Sequence, residues 1–95
     1  MKHLFRATKL GWDREQEGVW FDTSKYSKEE AKSQFKRYDG TTQKGYPYTG
    51  FEYDGQKYHD VTYLGEFEDD KLPKDTGDLI SMILGGVVKA VSERL

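Results

Sequence analysis

The chain has no cysteine and no asparagine among its 95 residues, and only two prolines, two histidines and two methionines. Without cysteine, neither a disulfide framework nor a thiolate metal site can form. Without asparagine there is no N-glycosylation sequon. His3 and His59 fit neither an H-x-x-x-H nor an H-E-x-x-H spacing, so no metal is expected. The G-x-S-x-G elbow, the Walker loop and the dinucleotide fingerprint are missing too. No apolar run reaches the roughly 20 residues of a membrane span, and the N-terminal MKHLFRATKL is too polar for a signal peptide. The expectation is one cytoplasmic domain, residues 1–95, with no cofactor and no membrane partner.

What is present is a modest apolar fraction of 35 %, a charged fraction of 34 % and an aromatic fraction of 15 % that argues against disorder. Net charge is −2, unevenly spread: residues 1–50 hold ten Lys or Arg against seven Asp or Glu, and residues 51–95 hold five against ten. Such asymmetry makes a dipolar surface for binding, or is neutralised when the halves pack together.

The densest apolar block lies between Leu79 and Val91. Ile80, Ile83, Leu84, Val87, Val91 and Leu95 recur at three- and four-residue steps, which predicts a helix from about Thr76 to Arg94. Asp75 and Asp78 suit its start, Lys89 and Arg94 its end. Leu79, Met82, Val88 and Ala90 fall outside the main stripe, and Gly86 stands one turn before Ala90. Met82, Gly86, Val88 and Ala90 are therefore candidates for self-association as a homodimer, or for a close contact with an internal strand.

Upstream, Lys2–Lys9 and Val19–Phe21 read as paired strands around a polar connection. Ser27 and Glu30 make a capping box, followed by Ala31, Phe35 and Tyr38 at helical steps until Asp39 and Gly40 stop the helix. Lys28, Lys32 and Lys36, with Lys25 and Arg37 nearby, form a basic stripe on that predicted helix. It suits a nucleic-acid phosphate or acidic surface, and equally a solvated face balanced by Glu29 and Glu30. Gly40–Gly50 is expected to be a loop carrying Tyr46 and Tyr48. Asp54-Gly55 predicts a type I′ hairpin turn pairing Tyr53 with Gln56, Glu52 with Lys57 and Phe51 with Tyr58. Tyr58 and Val61 differ by an odd step, so a β-bulge is expected near His59 and Asp60. Glu66, Glu68, Asp69 and Asp70 form an acidic linker without the order of a calcium loop.

Five of the seven tyrosines lie between Tyr46 and Tyr63. Tyrosine is enriched at binding surfaces and is also a good strand residue. Tyr46 and Tyr48, with Glu66, Glu68, Asp69 and Asp70, are the candidate partner-binding residues. Lys25, Lys28, Lys32, Lys36 and Arg37 are the alternative, for nucleic acid. Glu52 and Asp60 could serve as paired carboxylates, but nothing places them in a pocket, so no catalytic residue and no enzyme are expected.

The runs GVWFDTSKYSKEEAKSQF and YDGQKYHDVTYLGEF resemble small accessory proteins of phages and mobile elements of Gram-positive bacteria, in style over about two-thirds of the chain. The resemblance implies a non-catalytic binder that modulates or inhibits a host nucleic-acid machine such as a nuclease-based defence. It carries no residue roles.

The expected fold is α+β: a three- to four-stranded antiparallel sheet in the order ββαββα, the C-terminal helix packed on one face and the first helix beside it. The expected core is Phe5, Ala7, Val19, Phe21, Ala31, Phe35, Phe51, Val61, Ile80, Ile83, Leu84, Val87 and Val91.

Overall fold

The computed structural model describes residues 1–85 and 93–95. The chain runs β1 (Lys2–Lys9), β2 (Gln16–Asp22), α1 (Lys28–Ser33), β3 (Lys36–Thr41), β4 (Pro47–Tyr53), β5 (Gln56–Phe67), a 3-10 turn (Asp69–Lys71), α2 (Thr76–Leu84) and β6 (Glu93–Arg94). It is α+β, but the antiparallel sheet holds six strands among the described residues rather than three or four. Their order is β2-β1-β5-β4-β3, with β6 also against β5.

The local signals around β5 are realised. Asp54 and Gly55 take φ of 51° and 78°, as a type I′ turn requires. The register across it is Phe51–Tyr58, Glu52–Lys57 and Tyr53–Gln56. Against β1, Asp60 faces Thr8 while Tyr58 faces Lys9, so His59 is the extra residue of a bulge. That insertion keeps Tyr58, Val61 and Tyr63 in one buried cluster despite the odd step. A second shift, between Leu4 and Phe5, leaves Leu64 as the extra residue.

The first helix forms with its capping box: Ser27 Oγ accepts from Glu30 N at 3.1 Å and Glu30 Oε1 from Ser27 N at 3.0 Å. It ends at Ser33, well before Asp39, and Lys36–Thr41 becomes β3, paired with β4 from Lys36–Glu52 to Thr41–Pro47. The expected loop Gly40–Gly50 is thus mostly hairpin. Continuing the helix would have stacked Lys28, Lys32 and Lys36 on one face. The strand instead satisfies its backbone on β4.

The last helix is shorter than expected and turned. Asp75 caps it, accepting from Asp78 N at 2.8 Å. Leu79 is buried, with Met82 and Ile83 partly buried beside Leu4 and Leu64, whereas Ile80 is 40 % and Leu84 82 % exposed. The predicted stripe was therefore out of phase at Ile80 and Leu84, because the niche left by Leu4 and Leu64 accepts Leu79. Glu93 and Arg94 pair with Tyr63 and Thr62, so the helix does not run to Arg94. Met82 is partly buried against the Leu4, Leu64 and Leu79 cluster. Gly86, Val88 and Ala90, like Val87 and Val91, lie outside the described residues.

The sheet is covered on both faces. One carries Phe5, Ala7, Phe21, Phe51, Tyr58, Val61 and Tyr63 against Ala31 and Phe35, the other Leu4 and Leu64 against Leu79. The helices are on opposite faces, not side by side, since Leu4 and Phe5 are adjacent on β1 and point apart. Phe21 of β2 and Tyr53 of β4 have ring centroids 5.3 Å apart although β1 and β5 lie between their strands, so the sheet is curled around its aromatic face. His3 is buried here too. Its Nε2 donates to Tyr26 O at 2.9 Å, which leaves Nδ1 to accept from the Tyr63 hydroxyl at 3.1 Å.

Candidate functional site: an aromatic cleft

Two connections line one cleft. Residues 10–15 join β1 to β2, closed by Lys9 N donating to Glu15 O at 2.8 Å and anchored by Leu10 N donating to Lys57 O at 3.0 Å. Thr42–Tyr46 joins β3 to β4, closed by Thr42 N to Tyr46 O at 2.8 Å and Tyr46 N to Thr42 Oγ1 at 3.0 Å. Between them lies a cleft of about 750 Å³ lined by Leu10, Trp12, Arg14, Lys44, Tyr46, Tyr48 and His59, with Thr41, Thr42, Gln43 and Gly11. That is within the usual range for ligand sites, roughly 300–1,000 Å³.

Each side chain has a local reason to be there. Trp12 sits in a Gly-Trp-Asp turn with no strand to cover it and is 99 % exposed. Tyr46 leaves the β3–β4 turn 66 % exposed. Tyr48 is half-buried because it lies across β3: a β-carbon built on Gly40 would stand 2.5 Å from its ring. Reciprocally, Tyr38 lies over Gly50, where a β-carbon would meet its hydroxyl at 2.9 Å and Tyr58 O at 2.8 Å. The Tyr38 and Tyr48 rings meet edge to face at 6.1 Å, and Lys57 Nζ sits 5.4 Å from the Tyr38 centroid. Burial, then the neighbouring Tyr48 hydroxyl, pushes the Tyr38 phenol above its ordinary pKa. His59 reaches the cleft because the bulge takes it out of the ladder.

The lining holds two permanent cations, Arg14 and Lys44, and no carboxylate, in a chain that is acidic overall. One imidazole, two phenols and two threonine hydroxyls supply contacts and hydrogen bonds. They supply no nucleophile paired with a base. Among the described residues, no group of three or more His, Asp or Glu is placed to hold a metal ion. No described helix is long and apolar enough to cross a membrane.

Of the expected partner-binding residues, Tyr46 and Tyr48 line the cleft. Glu66, Glu68, Asp69 and Asp70 are exposed at the far end of β5 and in the 3-10 turn, where Asp69 pairs with the N-terminal amine at 3.7 Å. Seven residue steps along β5 separate His59 from Glu66, roughly 23 Å at about 3.3 Å each, so tyrosines and acids do not form one site. The five basic residues are scattered. Lys28 and Lys32 donate to Glu93 at 2.8 and 2.6 Å and lie over the Tyr63 ring. Those bonds, Lys28 first, hold the Glu93 carboxyl below its ordinary pKa, and the bond to Glu93 raises that of Lys28. Lys36 and Arg37 are on β3, with Arg37 over Phe51 at 5.7 Å, and Lys25 is in a turn. Leu10, Trp12, Arg14 and His59 were not singled out from the sequence. A tryptophan inside a run of turn-forming and charged residues was the available signal for the first three. No protein-family model matches this chain, and neither does any curated protein or solved structure.

Proposed function

We propose that this protein is a non-catalytic protein-binding module whose docking site is the cleft of Trp12, Tyr46 and Tyr48. The observation that carries the reading is Trp12, almost wholly exposed beside a concavity already lined by aromatics and Arg14. Tryptophan, tyrosine and arginine are the residues that dominate interface energetics when a partner desolvates them. A fully solvated tryptophan contributes nothing to this fold. The resemblance to accessory proteins of phages and mobile elements supplies the first partner class to test, a host nuclease-based defence machine. The exposed acids Glu66, Glu68, Asp69 and Asp70 are a separate surface for a basic partner.

The test compares immobilised wild-type chain with Trp12→Ala and Tyr46→Ala in extracts of Gram-positive hosts. One discrete protein held by the wild type and lost from both variants, with unchanged thermal unfolding, supports the reading. Equal retention by all three, or none, sinks it. Retention of single-stranded nucleic acid alone would favour the other reading, for which Arg14 and Lys44 in a carboxylate-free aromatic cleft are the supporting feature.

A further inference from the structure

The outer edge of β2 is open over a short window centred on Val19. In an antiparallel ladder the backbone groups of successive residues point alternately to one neighbour and to the other. Lys9 N donates to Glu15 O at 2.8 Å and Thr23 N to Met1 O at 3.2 Å. With the register Ala7–Glu17, Phe5–Val19 and His3–Phe21, this phase turns Glu17, Val19 and Phe21 toward β1. Gln16, Gly18, Trp20 and Asp22 turn theirs outward. At the two ends the carbonyls are occupied: Gln16 O accepts from Thr76 Oγ1 at 2.7 Å, and Asp22 O accepts from Lys25 N at 3.1 Å and Tyr26 N at 2.9 Å. Gly18 and Trp20 keep an outward N–H and an outward C=O with no partner among the described residues.

We propose that this window is a self-association edge, at which β2 of a second copy of this chain adds antiparallel and continues the sheet. The pattern is self-complementary, as an interface about a two-fold axis must be. With Val19 on the axis, Gly18 of each copy faces Trp20 of the other, and each pair exchanges two hydrogen bonds, four in all. Side chains of an added strand alternate above and below the sheet. Open grooves of about 340 Å³ and 270 Å³ flank this edge, the first beside Tyr53 and the second beside Pro73. Trp20, now 44 % exposed, would be covered against Gly18 of the other copy, beside Pro73, whose Cγ lies 3.2 Å from where a β-carbon on Gly18 would stand. The other outer strand, β3, is guarded by Lys36, Arg37 and Asp39, the usual protection of an edge, whereas Gly18-Val19-Trp20 carries no charge.

Sedimentation over a concentration series, combined with amide exchange followed by NMR at its two extremes, tests the proposal. The expected result is a species of twice the 11.1 kDa chain mass. As it forms, the Gly18 and Trp20 amides become protected, while those of Val19 and Phe21 are protected throughout. Trp20→Lys should weaken the dimer about tenfold or more and leave the Val19 and Phe21 protection intact. A monomer at every concentration overturns the proposal. So does a dimer in which Gly18 and Trp20 still exchange freely and the new protection falls elsewhere, for example on Leu79–Leu84.

Discussion

Tyr58 of β5 donates its phenolic hydroxyl to the Glu17 carboxylate of β2 across β1, the strand that separates theirs. The bond closes the curled aromatic face from β5 to β2. Burial, then the bond to Glu17, raises the Tyr58 phenol far above its ordinary pKa.

Tyr38, Tyr53 and Tyr63 are also raised, in each case by burial first. The folded chain holds these protons more tightly than the unfolded chain does. Their contribution to stability is therefore complete below the ordinary phenol value of 10.0 and is lost as pH rises through and beyond it. Denaturant midpoints at rising alkaline pH should fall, and phenolate absorbance of the native protein should lag that of the denatured chain. Tyr58→Phe should weaken this dependence.

Glu93 reverses the sign. Its carboxyl titrates below the ordinary glutamate value of 4.5 because Lys28 and Lys32 bond its ionised form. The stabilisation is present above pH 4.5 and is lost as pH falls through and below that value. Glu93→Gln should flatten that part of the acid-unfolding profile. If the wild-type and variant profiles differ only by a constant offset, the pair does not tie α1 to β6 in solution.

His3 links the start of β1 to the entry of α1 through Tyr26 and to β5 through Tyr63. His3→Ala should cost about 2–4 kcal/mol, from two buried polar groups left unpaired and lost packing. Chemical denaturation at neutral pH measures it, and a cost below about 1 kcal/mol would show that water replaces the ring.

Gly40→Ala probes the cleft through its floor. The added methyl occupies the space of the Tyr48 ring, whose outer atoms can swing away. Binding at the cleft should therefore weaken more than stability, which should change by no more than about 1–2 kcal/mol. Trp12→Ala is the complement: unfolding within about 0.5 kcal/mol of wild type, with binding lost.

What could be read from the sequence was what is decided within a few residues. The Ser27–Glu30 capping box and the Asp54-Gly55 turn are closed by neighbours in the chain, and both stand where expected. The parity reset near His59 was legible because Tyr58 and Val61 both had to be buried. Phe35 and Tyr38 deceived, because their spacing from Ala31 suits a helix. What makes Lys36–Thr41 a strand is Gly50, which accepts the Tyr38 ring, and Gly40, which accepts the Tyr48 ring. The choice between Leu79 and Ile80 is a one-residue phase set by Leu4, at the other end of the chain. The cleft was half visible: Tyr46 and Tyr48 were recognisable beside a turn, but no periodicity marks Trp12, which meets them only through the sheet.

The His59 bulge bears on how the chain tolerates changes of length. Deleting His59 would leave Tyr58 and Val61 two steps apart, and an unbroken strand would hold both on the aromatic face. Deleting Val61 instead would remove a wholly buried side chain and leave β5 to find a new register. The ladder has no need of residue 59, and its insertion serves the cleft. A shortened relative lacking that residue would keep the sheet and lose the imidazole from the cleft, so length variation at this one position would separate the scaffold from what it carries.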